Sequence, residues 1–252
     1  MYVRRSWTSA ALYVLAACAA VAAAAPTLHA SITFLNTQWV SGSEQYDLEF
    51  HNQLTSATFD TVTGGTAVYA TLESGEISGA LMPELQGPLA AHIFVTASTT
   101  TPASSTSIPP LGSYLSQPMG PGTISVLLDN AVDGKTNLLT VQFNASILGM
   151  AGASTPLFWG QDGLPGQSVT FTSDFLDFSS TSGSAFSWAM SNATPALQLG
   201  DGNFLADFAG NGLASFSTTV GSPIVMSPEP ASLGLLLLGG VACAALTRRR
   251  TR

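Results

Sequence analysis

Few side chains between residues 31 and 227 could act as nucleophile, base or metal ligand. Both cysteines of the chain, Cys18 and Cys243, lie outside that stretch, in apolar runs near the two ends. Thiolate nucleophiles, thiolate metal sites and disulfides are therefore excluded from it together. Its histidines, His51 and His92, form no HExxH pair and have no third ring to complete a familiar zinc site. They read as ordinary strand residues. No GxSxG elbow or GxGxxG run occurs, and Gly134-Lys135 lacks the upstream glycine of a phosphate loop. Carboxylates come in close pairs at Asp174 and Asp177, Glu73 and Glu76, and Asp129 and Asp133. A glycosidase needs two carboxylates about 5–10 Å apart across a cleft, whereas pairs this close in sequence more often serve turns. Asp201-Gly202-Asn203 with Asp207 resembles part of a calcium loop, but it lacks the full alternation of oxygen ligands and the terminal Glu. It reads as a turn. No catalytic residue, metal ligand or cofactor is assigned.

Aromatic rings suggest a different chemistry. Sugar-binding sandwiches stack exposed rings on pyranose faces and use Asn, Gln and Asp for the hydroxyls. Trp159-Gly160-Gln161-Asp162 places a ring and a carboxylate in an expected loop, so Trp159 and Asp162 are the candidate sugar-binding residues. Trp188 alternates with small polar residues and is expected in the core. Spaced threonines such as Thr61-Val62-Thr63 and Thr170-Phe171-Thr172 are too isolated to predict an ice-binding face.

The elements that must position these groups are strands. Leu139, Val141 and Phe143 alternate with Thr140 and Gln142; Phe186, Trp188 and Met190 alternate with Ser187 and Ala189. This period of two recurs at Tyr46–Phe50 and Val169–Thr172, and further apolar segments sit at Ala67–Leu72, His92–Ala97, Thr123–Leu128, Phe204–Phe208 and Leu213–Ser217. Turn signals stand between them at Gly64-Gly65, Asp133-Gly134, Asp162-Gly163 and Asn211-Gly212. The expected body, residues 31–226, is all-β: an antiparallel β-sandwich, jelly-roll-like or immunoglobulin-like. Ser98–Gly122 holds five prolines and ten Ser or Thr, which predicts a long exposed loop at 98–122.

Charge is scarce and placed at the ends. Only 9% of the 252 residues are charged, against about 25% in an ordinary globular protein. Lys135 is the only base between residues 31 and 227, against fourteen acids, a net charge of −13 for that stretch. A nucleic-acid partner is excluded, since electrostatic binding needs a basic face. Arg4 and Arg5, then the apolar run Ala10–Ala25, then Ala30 before Ser31 read as a signal peptide over 1–30. Leu15-Ala16-Ala17-Cys18 also resembles a lipobox, although the apolar run continues past Cys18. At the other end, residues 231–247 carry no charge and are expected to cross a membrane as a helix. The basic tail Arg248, Arg249, Arg250 and Arg252 would stop it on the cytoplasmic side. Both ends place the body outside the inner membrane.

Pro228-Glu229-Pro230, the short Leu/Gly/Ala span and the Arg cluster together resemble the PEP-CTERM sorting signal of exported bacterial proteins. Tails of this kind are also classed as the C-terminal domain of ice-binding proteins. The resemblance covers about a tenth of the chain, residues 227–252. It implies a Gram-negative host, export, transient anchoring in the inner membrane, and recognition of Pro228, Glu229 and Pro230 by an exosortase-like membrane processing enzyme. The processed protein would then reside at the cell surface or outside the cell. The expected function is that of a non-enzymatic envelope or extracellular-matrix protein. The rival classes are an extracellular polysaccharide-binding module and a carboxylate-based glycoside hydrolase.

Overall fold

A computed structural model describes residues 31–40, 47–62, 64–73, 82–110 and 112–220. The expected signal peptide, the Pro-Glu-Pro motif, the span 231–247 and the basic tail lie outside the described residues. Among those described, no helix is long and apolar enough to cross a membrane.

The fold is all-β and antiparallel. Among the described residues twelve strands run in chain order: β1 (Ser31–Trp39), β2 (Leu48–Asn52), β3 (Ala57–Thr61), β4 (Thr66–Leu72), β5 (Pro88–Thr99), β6 (Ser104–Ile108), β7 (Gly112–Val132), β8 (Lys135–Met150), β9 (Leu157–Gln161), β10 (Ser168–Thr172), β11 (Thr181–Thr194) and β12 (Phe208–Val220). Pairing closes on itself through β1, β4, β5, β7, β8, β9, β11 and β12, and back to β1. A second path, β2 and β3, also links β12 to β5, while β6 and β10 are added on β7 and β8. The arrangement is consistent with a β-sandwich.

Alternation decides which side chains meet inside. Leu139, Val141, Phe143, Ala145 and Ile147 of β8 are buried, and the residues between them face out. Phe143, Phe158 and Phe186 pack with centroids 5.1–5.2 Å apart, the edge-to-face and tilted spacing that aromatic quadrupoles favour. Trp188 is buried, as its alternation predicts.

Three sequence expectations are corrected. The stretch 98–122 is not a loop: β5 runs to Thr99, β6 covers Ser104–Ile108, and β7 starts at Gly112. Its hydroxyls suit the outward positions of strands, and Thr favours a pleated, half-buried surface. Its five prolines stand between β5 and β6 at Pro102, at the turn Pro109-Pro110, in β7 at Pro118, and at Pro121 in a bulge between Met119 and Gly122, where bulges accommodate residues that cannot complete a ladder. The bulge also shifts the alternation, so Leu115, Gln117 and Met119 on one side and Ile124, Val126 and Leu128 on the other all face inward. Buried Gln117 donates to the carbonyls of Thr101 and Pro118 and accepts from the Leu205 N–H, tying this region down.

Asn211-Gly212 is not a turn but lies within β12, opposite β11. Glycine is needed there for packing, because a Cβ at 212 would stand 2.4 Å from Cδ1 of Trp188. Phe204–Phe208 is not a strand either. Phe204 and Leu205 are buried in a connection with one isolated bridge, Leu199 to Leu205, and β12 begins only at Phe208.

Candidate functional site

The outer face of β3, β5, β7, β8 and β10 carries a groove of about 710 Å³. Register, rather than sequence proximity, assembles it. Asp60 stands opposite Thr96, Thr96 opposite Thr123, Thr123 opposite Gln142, and Gln142 opposite Thr170. These five residues form one lateral row across five strands. All five line the groove, and their strand neighbours Phe59, Val95, Ile124, Val141 and Val169 point into the core. None of the five side chains makes a hydrogen bond among the described residues. Beside the row, the Asn144 amide donates to the Ser168 hydroxyl at 2.8 Å.

The floor is low because it is built from small residues at the bulge. Ala97 and Gly122 lie opposite one another, and Gly122 lies opposite Phe143. A Cβ at Gly122 would come within 2.4 Å of Phe143 Cζ and 2.8 Å of Ala97 Cβ. The ring of Phe143 thus packs directly under the β7 backbone, and the groove lies above it.

Beyond Asp60 the row continues to Glu49 on β2. Glu49 does not line the groove; its Oε2 meets His51 Nε2 at 3.1 Å. The other histidine, His92, meets Asp129 Oδ1 through Nδ1 at 2.7 Å. Both imidazoles face carboxylates on exposed strand surfaces, and neither lines the groove. Asp60 is the only carboxylate that lines the groove among the described residues.

The other acids mostly organise turns. Asp174 accepts from the Asn137 N–H, and Asp207 accepts from the Asn52 N–H. Asp177 accepts from the Ser179 N–H, and this bond, with a lesser one from the Ser179 side chain, holds its carboxyl below the usual range. Asn52 also bonds the carbonyls of Asp201 and Leu205, so the segment 201–207 is a braced turn. Asp47 stands apart. It is buried, its Oδ2 has no hydrogen-bond partner among the described residues, and desolvation pushes its pKa up to about 6.

Trp159 faces outward on β9 between Ser146 and Ser187, half-buried, rather than standing in a loop. Asp162 is exposed in the turn that follows, its N–H bonded to the Ser184 carbonyl. Neither lines the groove. Ser146 lies two residues beyond Asn144 on the same face of β8, which places the Trp159 ring on the same outer surface as the row. Thr96, Thr123, Gln142 and Asp60 are groove residues that sequence inspection passes over. Their only sequence signal is a polar residue at the outward position of each strand.

The chain matches no known protein family, no curated protein and no solved structure.

Proposed function

We propose that this is an exported envelope or extracellular-matrix protein whose body is a β-sandwich that binds extracellular polysaccharide on the outer face of β3, β5, β7, β8 and β10. Its route to the surface is the C-terminal sorting signal, recognised at Pro228, Glu229 and Pro230 by an exosortase-like membrane enzyme. The observation that carries the binding assignment is the row Asp60, Thr96, Thr123, Gln142 and Thr170. Five polar side chains stand in register with unspent hydrogen-bonding capacity over a groove.

Hydroxyls, an amide and a carboxylate together both donate and accept, which is what vicinal sugar hydroxyls require. Cleavage of a glycosidic bond would need a second carboxylate across the groove, and Asp60 is the carboxylate that lines it. Binding is therefore favoured over hydrolysis. Trp159, on the same surface, would extend the contact by stacking.

Affinity electrophoresis through gels containing a polysaccharide tests this. The protein should be retarded, and the double variant Thr123→Ala/Gln142→Ala should migrate as it does in a gel without polymer. Equal retardation of the variant would remove the groove from the account. Release of shorter sugars by the wild-type protein would replace binding with hydrolysis.

A further inference from the structure

The row also constrains which polysaccharide fits, and this step rests on the binding assignment above. Its five side chains belong to five adjacent strands, so it runs perpendicular to the strand direction. With strands about 4.8 Å apart, four intervals span roughly 19 Å. An extended 1,4-linked pyranose chain advances by about one ring length per residue, close to the strand interval of about 4.8 Å, so each interval accommodates about one sugar residue. The contacts repeat along the row, and no residue in it is of a type that would single out a chain end.

Charge sets the second constraint. Asp60 sits at one end of the row, and Glu49 stands next in register on β2. Among the described residues no Lys or Arg lines the groove, and Lys135 is the only such base in residues 31–227. Its ammonium is engaged with the Asp174 carbonyl at 3.3 Å. Uronate, sulfate or pyruvate groups laid along this row would meet the Asp60 carboxylate and a net negative body. Like charges brought together in this way oppose association.

We propose that the groove holds a stretch of about four residues of a linear, uncharged polysaccharide, laid across the strands from Asp60 to Thr170. Calorimetric titration of the detergent-solubilised full chain can test this, using neutral β-glucan oligosaccharides and alginate oligosaccharides of about two to six residues, matched in length. Affinity for the neutral series should rise with length and level off at about four residues. Alginate oligosaccharides should bind at least roughly tenfold more weakly, and Gln142→Ala should weaken the neutral tetramer about fivefold. The Gln142 side chain is exposed, so the variant leaves the core intact.

Alginate binding as tight as the neutral series, with the Gln142 dependence retained, would overturn the charge inference and leave the groove as a sugar site. Levelling at one or two residues would overturn the crosswise placement. Absence of binding to either series would overturn this inference together with the binding assignment on which it rests.

Discussion

Gly122 and Phe143 test whether the groove floor is built as described. A methyl group added at Gly122 would lie 2.4 Å from Phe143 Cζ. The backbone of Gly122 is not in the left-handed region, so alanine meets a steric obstacle and not a conformational one. Overpacking of this kind costs about 1–3 kcal/mol. Phe143 is 3% exposed and touches the rings of Phe158 and Phe186. Its truncation to alanine should cost about 3–5 kcal/mol. In the double variant Gly122→Ala/Phe143→Ala the obstructing ring is gone, although the new Cβ still meets Ala97 Cβ at 2.8 Å. Replacing glycine there also reduces the freedom of the unfolded chain, a gain of about 0.4–1 kcal/mol. The double variant should therefore be about as stable as Phe143→Ala alone, a coupling of roughly 1–2 kcal/mol. Urea unfolding followed by tryptophan fluorescence, to which buried Trp188 contributes, measures all three variants. Additivity within about 0.5 kcal/mol would show that the ring does not lie under Gly122, and the account of the floor would fail.

Two further outcomes are expected. Burial raises the Asp47 pKa from 3.8 to about 6, so the folded protein holds a proton that the unfolded chain releases near pH 4. Stability should fall as pH rises from about 4 to 6 and change little from this cause above that. Asp47→Asn should remove the slope and be more stable than wild type at pH 7 by about 1–2 kcal/mol, a figure discounted for solvent screening; thermal unfolding from pH 4 to 8 would expose an unchanged slope. For the sorting signal, mass spectrometry of protein from the native host should find a C-terminus near residues 228–231, and Glu229→Ala should leave the full chain in the inner membrane. Wild-type protein that keeps Arg252 in a host containing the processing enzyme would remove the sorting assignment.

What could be read from sequence follows the range of the forces involved. Burial alternates within a strand, so the core residues of β8 and β11 are visible from Leu139, Val141 and Phe143 or from Phe186 and Trp188 alone. The Ser/Thr/Pro stretch misleads because the same composition serves an exposed loop and the solvent-facing side of a strand. What separates them is pairing with β8 and the bond that the Leu205 N–H donates to the inward Gln117, both contributed by residues distant in the chain. Asn211-Gly212 misleads for a related reason: its glycine makes room for Trp188 and not for a turn. The groove was the least legible feature. Asp60, Thr96, Thr123, Gln142 and Thr170 are each ordinary outward residues, and only the register of four strand pairs makes them a row. That register is set by the hydrophobic faces, so the site is a by-product of packing on the opposite side of the same strands.

The chemistry of such a row bears on why the protein would need display at a surface. A hydrogen bond to a sugar replaces one to water, and its net gain is only about 0.5–1.5 kcal/mol. Association itself costs about 4–15 kcal/mol in lost freedom. Five such positions, even with one aromatic ring alongside, leave a single groove a weak binder of one short oligosaccharide. A polymer presents the same repeat many times, and many copies of the protein held at one surface convert later contacts into intramolecular ones, which raises overall affinity by about 10²–10⁴ without any new contact. On this account the weak groove and the C-terminal sorting signal belong to one mechanism. The proposed signal would supply density at the cell surface, density would supply avidity, and each groove could release and rebind while the matrix stayed attached. Copies freed from the surface would lose most of their hold on the polymer with every groove intact.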